Sequence, residues 1–98
     1  MKTFTDTEIR DHVSTYLKGW AFEKGVIKRD FEFGDFIEAF SFMTAVALVA
    51  ENSDHHPEWS NVYNKVSIAL RTHSAGGITQ LDFDLASKIE LAFRTYQH

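Results

Sequence analysis

Two adjacent histidines and the only proline of the chain lie together in residues 51–59, which read ENSDHHPEW. A third histidine, His73, lies further along in the segment RTHSAGG. An imidazole changes charge near neutral pH, so it can donate or accept a proton during a reaction. Because Pro57 disfavours helical geometry at His56, the first segment is predicted to be a loop that follows a helix. Loops held by a rigid framework often carry functional groups.

This set of residues is compatible with two kinds of site. Three imidazoles with nearby carboxylates suit acid/base catalysis, and imidazoles are also common metal ligands. Each residue also has a purely structural explanation, since a lone histidine near a strand end is often a surface residue. Trp59 can pack against a sheet, and Asp82 has the position of a helix cap. The coincidence of the residues favours an acid/base site, with a histidine-based metal site as the alternative.

Capping pairs predict where three helices begin. In each pair a Thr or Asp stands three residues before a carboxylate, so the two can satisfy backbone N–H groups at the helix start. The apolar spacing that follows predicts helices over Thr5–Leu17, Asp35–Glu51 and Thr79–Tyr96, which begin with the pairs Thr5/Glu8, Asp35/Glu38 and Thr79/Asp82.

Alternating apolar and polar residues predict two pairs of strands between these helices. They cover Trp20–Glu23, Ile27–Phe33, Trp59–Tyr63 and Lys65–Thr72. His73 is predicted to close the last strand, on the face opposite Val66 and Ile68. Since short hairpins favour antiparallel pairing, the prediction is a single α+β domain over residues 1–98, ordered α-β-β-α-β-β-α, with three helices on one face of a four-stranded antiparallel sheet.

Composition narrows the function classes. The formal net charge of −4 argues against direct binding of nucleic acid, which normally needs a basic surface. Cysteine is absent, so disulfides and cysteine-based metal sites are excluded. The longest apolar stretch, residues 36–50, is too short to span a membrane, and no secretory signal is recognisable at the amino terminus. We therefore expect a cytoplasmic protein.

The second predicted helix is apolar on more than one side. One apolar stripe is formed by Phe36, Phe40, Met43, Ala47 and Ala50, and it is widened by Ile37, Val46 and Val49. One face of a small sheet does not cover so much apolar surface. We expect the surplus to pack against a second copy of the chain.

The spacing of the candidate site residues resembles the motif of the pterin-4a-carbinolamine dehydratase family. That motif is an acidic residue, His-His-Pro after three positions, an aromatic residue, a later histidine and an aspartate. The chain matches it with Glu51, His55, His56, Pro57, Tyr63, His73 and Asp82. The similarity extends over nearly the whole chain, including YNKVSIALRTH and the region around Trp20.

The resemblance implies a fold, an assembly and a reaction. It implies the sandwich described above, assembled as homodimers or homotetramers. It also implies dehydration of 4a-hydroxytetrahydrobiopterin to quinonoid dihydrobiopterin, which recycles the pterin used by aromatic amino-acid hydroxylases, without a metal or organic cofactor.

The resemblance also suggests a role for each site residue. The candidate catalytic residues are His55, His56 and His73. We expect His55 and His73 to form the acid/base pair, with the division between them open, and His56 chiefly to hold the pterin. Glu51 and Asp54 would bind the pterin or raise a histidine pKa. Pro57 and Trp59 would shape the pocket, and Asp82 is a supporting residue.

Two other functions remain open at the level of sequence. Some members of the family also act as dimerisation cofactors of a transcription factor, so the chain is alternatively an interaction module. A histidine-based metalloenzyme is the third hypothesis.

Overall fold

A computed structural model of the chain describes residues 1–96. The helices are α1 (Asp6–Tyr16), α2 (Phe36–Asn52) and α3 (Gln80–Arg94), and the strands are β1 (Ala21–Glu23), β2 (Val26–Glu32), β3 (Glu58–Val62) and β4 (Lys65–Leu70). A short 3-10 turn covers His73–Ala75. The predicted order of elements is confirmed, and the boundaries agree to within a few residues.

The four strands form one antiparallel sheet in the order β1-β2-β4-β3. The hairpin between β1 and β2 turns at Lys24 and Gly25, which both have positive φ angles, of 52° and 78°. Two such residues make the turn that matches the twist of paired strands. Asn61 supports the hairpin between β3 and β4, since its side-chain amide donates to the carbonyl oxygens of Tyr63 and Lys65 at 3.0 and 2.9 Å.

The three helices cover one face of the sheet, as predicted. The core contains inward-facing strand residues such as Ile27 and Val66, and apolar residues of every helix. Phe42 of α2 is fully buried, with its ring centroid 4.9 Å from that of Phe31 and 5.9 Å from that of Phe93. This aromatic contact joins the sheet to α2 and α3.

A charged group lies between the sheet and the helices, at the middle of β2 and close to Gly19. Arg29 points towards the helices and pairs with Glu90 of α3, which also accepts the indole N–H of Trp20 at 3.0 Å. The Arg29 guanidinium lies over the rings of Phe31 and Phe93, at 4.7 and 5.0 Å. The partly buried charge is therefore paired with a carboxylate and faces two aromatic rings.

Helix α2 differs in detail from its prediction. Its buried face is Ala39, Phe42, Val46 and Ala50. Phe36 and Phe40, which the sequence placed with Ala50 on one stripe, are instead about half exposed. The start of the helix also differs, since Glu38 accepts the N–H of Gly34 at 2.8 Å while Asp35 caps the N–H of Glu38 as predicted. Both sides of α2 are apolar, so periodicity alone does not identify the side that faces the core.

Candidate active site

The most buried of the candidate histidines is His55, in the loop between α2 and β3. Its side chain is 9% exposed, and its Nε2 lies 2.7 Å from Oδ1 of Asp82, which is completely buried in the first turn of α3. The backbone N–H of His55 donates to the carbonyl of Ala50, the last buried residue of α2. Since a carboxylate only accepts, neutral His55 carries its hydrogen on Nε2, and Nδ1 keeps the lone pair.

The other oxygen of Asp82 is held by two donors. Oδ2 accepts the hydroxyl of Thr72 at 2.8 Å and the backbone N–H of Thr79 at 2.9 Å. The Thr79 hydroxyl accepts the N–H of Leu81 at 3.2 Å and lies 2.8 Å from that of Thr72. Asp82 is thus the predicted helix cap, and the same carboxylate also orients His55.

His56 points away from the core. Its Nε2 lies 2.8 Å from Oε1 of Glu51, and both side chains are exposed to solvent. The chain reverses at Asp54, which has a positive φ angle of 50°. Pro57 disfavours helical geometry at His56, so the helix does not resume after this reversal. The side chain of His55 points towards α3, and that of His56 points towards the surface.

His73 is paired with the first residue of β3. Its Nε2 lies 2.5 Å from Oε1 of Glu58, and both side chains are exposed. The prediction that His73 closes the last strand is wrong. Strand β4 ends at Leu70, Thr72 bridges to Gly77, and His73 begins the 3-10 turn between them. Glu58 reaches His73 because it pairs with Ala69, near the carboxyl end of β4.

Each of the three imidazoles therefore uses Nε2 to contact a carboxylate, and each keeps Nδ1 free of the hydrogen bonds found within residues 1–96. The carboxylates come from α3, α2 and β3. Sequence reasoning missed Glu58 and Thr72. The signal for Glu58 was its position directly after His-His-Pro, at the start of a predicted strand. In an antiparallel hairpin the start of that strand lies beside the end of the next one, which leads to His73.

Comparison with known proteins gives one consistent result. The family profile described as "Pterin 4 alpha carbinolamine dehydratase" matches residues 2–92. A relative from Synechococcus sp., named "Putative pterin-4-alpha-carbinolamine dehydratase", is 54% identical over 83% of this chain and 87% of its own length. A relative of the same name from Dinoroseobacter shibae is 52% identical over 87% of this chain and 92% of its own.

The chain belongs to the pterin-4-alpha-carbinolamine dehydratase family.

Solved structures of similar fold agree with this membership. The crystal structure of a transcriptional coactivator/pterin dehydratase from Brucella melitensis is 42% identical, has a TM-score of 0.88, and is matched over 93% of this chain and 98% of that one. A pterin dehydratase-like protein described as a RuBisCO assembly factor of the alpha-carboxysome has a TM-score of 0.62 at 18% identity, with 74% of this chain and 84% of that one covered. The second similarity shows the fold alone.

The fold brings only part of the dehydratase motif together. Glu51 pairs with His56, and His55 pairs with Asp82, so these four residues lie around the loop between α2 and β3. Tyr63 lies elsewhere, because it follows β3 at the end opposite Glu58. Its ring is 62% exposed in the hairpin turn.

The remaining predicted site residues lie around the loop. Asp54 is exposed and Pro57 is partly buried. Trp59 is partly buried and packs against the hydrophobic core. A cavity of about 440 Å³ on the sheet borders the site and is lined by Lys28, Asp30, Glu58, Trp59, Ser60, Ser67, Ile68 and Ala69.

The metal hypothesis was tested on the arrangement of possible ligands. Within residues 1–96, no group of three or more His, Cys, Asp or Glu side chains is placed to share one ion. Each of the three imidazoles contacts a separate carboxylate.

No helix in this part of the chain has the length and apolar character needed to cross a bilayer.

Proposed function

We propose that the chain catalyses the dehydration of 4a-hydroxytetrahydrobiopterin to quinonoid dihydrobiopterin and water. The observation that carries this proposal is the buried pair of His55 and Asp82, in which a fixed carboxylate leaves one imidazole nitrogen available for proton transfer. Family membership supports the choice of a pterin carbinolamine as the substrate.

The reaction needs two proton transfers and no change of oxidation state. The substrate has a hydroxyl on ring carbon 4a, next to the N–H at position 5. One group removes the proton from that nitrogen, whose electron pair forms the double bond to carbon 4a. The carbon–oxygen bond breaks, and a second group delivers a proton to the departing oxygen, which leaves as water. Each positioned acid or base contributes about 10²–10⁴-fold to the rate.

We assign these two transfers to His55 and His73, through the Nδ1 atoms that their carboxylate partners leave free. The contact of each Nε2 with a carboxylate fixes the tautomer and the orientation of the ring. Asp82 and Glu58 therefore act as positioning residues. Which ring is the acid and which is the base is the question that the pH profiles of the two single variants answer.

The other site residues bind the pterin in this proposal. His56, held by Glu51, contacts the ring system, and Asp54 with Glu51 accepts hydrogen bonds from the donor-rich pyrimidine edge. Pro57 and Trp59 shape the wall of the pocket. The reaction requires no metal or organic cofactor, and the product returns to the pterin pool used by aromatic amino-acid hydroxylases.

The direct test is the dehydration of chemically generated 4a-hydroxypterin, followed by absorbance. We expect His55→Ala and His73→Ala to lower kcat by about 10²-fold or more. His12→Phe is the matched control, because the ring of His12, on α1, stacks on Phe83 and has no role in the proposed proton transfers. Near-wild-type turnover by both folded site variants would show that the proposed pair is wrong.

We further propose that the chain forms homo-oligomers through the exposed side of α2. That side presents Phe36, Ile37, Phe40 and Leu48, which are 46–74% exposed. A contiguous apolar surface of this kind is typical of an interface. Sedimentation velocity of Phe40→Lys is expected to show a smaller species than wild type, while Leu91→Lys on α3 leaves the assembly unchanged. An unchanged assembly in Phe40→Lys would refute this interface.

A second candidate function is that of an interaction module in transcription. The specific observation in its favour is the similarity to the Brucella melitensis protein, which is described as a transcriptional coactivator as well as a pterin dehydratase. The two functions differ in their need for the imidazoles. Restoration of a deletion strain by the double variant His55→Ala/His73→Ala to the wild-type level would favour the interaction module, and failure of the folded double variant would favour the enzyme.

A further inference from the structure

We propose that a second cavity, centred on Arg71, binds the carboxylate group of a small organic acid. The cavity lies between the N-terminal segment, the hairpin of β1 and β2, and the loop that follows β4. It encloses about 220 Å³ and is lined by Thr3, Phe4, Asp6, Ile9, Phe22, Gly25, Arg71, Gly76, Gly77 and Ile78. None of the histidines assigned to proton transfer lines it, and this inference does not rest on the dehydratase proposal.

The walls of the cavity combine polar and apolar groups and are fixed to the fold. Phe4 donates its backbone N–H to the carbonyl of Ile78 at 3.0 Å, and its ring stacks on Phe83 with centroids 5.0 Å apart. Phe22 extends from β1 on the other side. Gly77 packs closely on Thr3, because an added Cβ would lie 3.2 Å from the Thr3 methyl group. The N-terminal segment is thereby held as a wall of the cavity.

Arg71 supplies the charge. Its Nε is buried and has no hydrogen-bond partner in residues 1–96, and its guanidinium forms no ion pair with a carboxylate of those residues. The contrast with Arg29 is direct, since Arg29 pairs with Glu90. A buried donor without a partner is unfavourable and rare in folded proteins, and a bound anion is one group that would satisfy it.

The chemistry of the lining selects the class of ligand. A guanidinium presents parallel N–H groups that match the two oxygens of a carboxylate. Phe4 and Phe22 suit an apolar or aromatic body attached to that group. Asp6 also lines the cavity and pairs with Arg10 at 3.8 Å, which leaves Arg71 as the cation available to a ligand. Inorganic phosphate lacks an apolar body that Phe4 and Phe22 could contact. The small volume excludes ligands of drug size. The class that fits is therefore a small monocarboxylate with an apolar body.

The probe for the experiment is 3-phenylpropionate, and 3-phenylpropionamide is its neutral analogue. We expect the carboxylate to shift the backbone amide signals of Gly25, Gly76 and Gly77 in a two-dimensional NMR titration of the full chain. From the same titration, the carboxylate is expected to bind at least about tenfold more tightly than the amide, because only the anion can pair with the Arg71 fork. Inorganic phosphate is expected to bind less tightly than 3-phenylpropionate.

Two variants distinguish a specific contact with Arg71 from a general effect of positive charge on binding. Arg71→Gln is expected to weaken binding of 3-phenylpropionate by at least about tenfold. Arg94→Gln, which removes an exposed arginine in the last turn of α3, is the control and is expected to bind like wild type. Thermal unfolding checks that each variant is folded, and if Arg71→Gln does not fold, the comparison of carboxylate and amide on the wild-type chain decides. The proposal is overturned by a difference of less than about tenfold in either comparison, or by phosphate binding as tightly as the carboxylate.

Discussion

Replacing Asp82 by asparagine tests whether the carboxylate orients His55 through the choice of tautomer. The amide is isosteric with the carboxylate, and its oxygen can keep the bonds to Thr72 and Thr79, which are 2.8 and 2.9 Å long. Its NH₂ group then faces Nε2 of His55, at the position where the carboxylate oxygen lies 2.7 Å away. Since NH₂ donates, the neutral ring must place its hydrogen on Nδ1. The nitrogen that keeps the lone pair in the neutral wild-type ring, Nδ1, now carries a proton.

The size of the effect follows from this inversion. A general acid or base contributes about 10²–10⁴-fold, so Asp82→Asn is expected to lower kcat by about that factor with a smaller change in KM. A hydrogen bond to a charged group contributes about 1.5–3 kcal/mol and a neutral one about 0.5–1.5 kcal/mol, so each of the three bonds of Asp82 should weaken by about 1–1.5 kcal/mol. The free energy of unfolding should therefore fall by at most about 3–4.5 kcal/mol, since a buried neutral amide costs less to desolvate than a buried charge. For a chain of this size that upper limit corresponds to a fall of about 12–36 °C in the melting temperature.

Three measurements check this prediction. The absorbance assay gives kcat and KM, thermal unfolding gives stability, and long-range proton–nitrogen NMR identifies which ring nitrogen of His55 is protonated. Asp84→Asn is the control, since Asp84 is exposed on the same helix and accepts a hydrogen bond only from Gln80 among the bonds found there. A folded Asp82→Asn variant with kcat within about threefold of wild type would refute the orienting role.

Other predictions concern stability. In urea unfolding, Gly19→Ala should lower the free energy of unfolding more than Gly25→Ala does. Both residues have positive φ angles, so each substitution should cost about 1–2 kcal/mol of backbone strain, but only at Gly19 does the new Cβ meet Arg29, at 2.9 Å. Equal losses would contradict this prediction. Phe42→Ala should cost about 3–5 kcal/mol, since the ring is fully buried, and a loss below about 1 kcal/mol would contradict that burial. Burial holds the pKa of His12 below its ordinary value of 6.5, although Asp84 opposes the shift. The unfolded chain therefore binds more protons as pH falls from about 6.5 through the lowered pKa, and stability is lost over that range. His12→Phe should lose less stability than wild type between pH 7.5 and 5.5, and an identical loss would count against the shift.

The parts of the fold that sequence predicted best are those decided by local chemistry. The capping pairs Thr5/Glu8 and Thr79/Asp82 need only a spacing of three residues, and both were found. The face of α2 that meets the core was not decided locally, because both of its sides are apolar and the residues that cover its buried side are remote in sequence. The same limit applied to Glu58, whose contact with His73 depends on the register of two strands.

The site shows this limit most clearly at Asp82. Sequence spacing explained the residue as a helix cap, and that explanation was confirmed. It gave no reason to expect His55 on the other oxygen, since that contact spans 27 positions and forms only when α3 packs beside the loop after α2. Asp82 caps a helix and also contacts a residue that is remote in sequence, and sequence spacing predicts only the cap.

This double use of one carboxylate gives a single amide proton a diagnostic value. The backbone N–H of Thr79 donates to the same carboxylate that holds His55, so it exchanges with solvent only when that bond opens. Fraying of the first turn of α3 therefore frees one oxygen of the same carboxylate whose other oxygen contacts His55. When the bond recloses faster than the amide exchanges, the exchange rate of the Thr79 amide, measured without substrate, is proportional to the fraction of molecules in which this bond is open. A remote substitution that accelerates this exchange therefore loosens the carboxylate that also contacts His55.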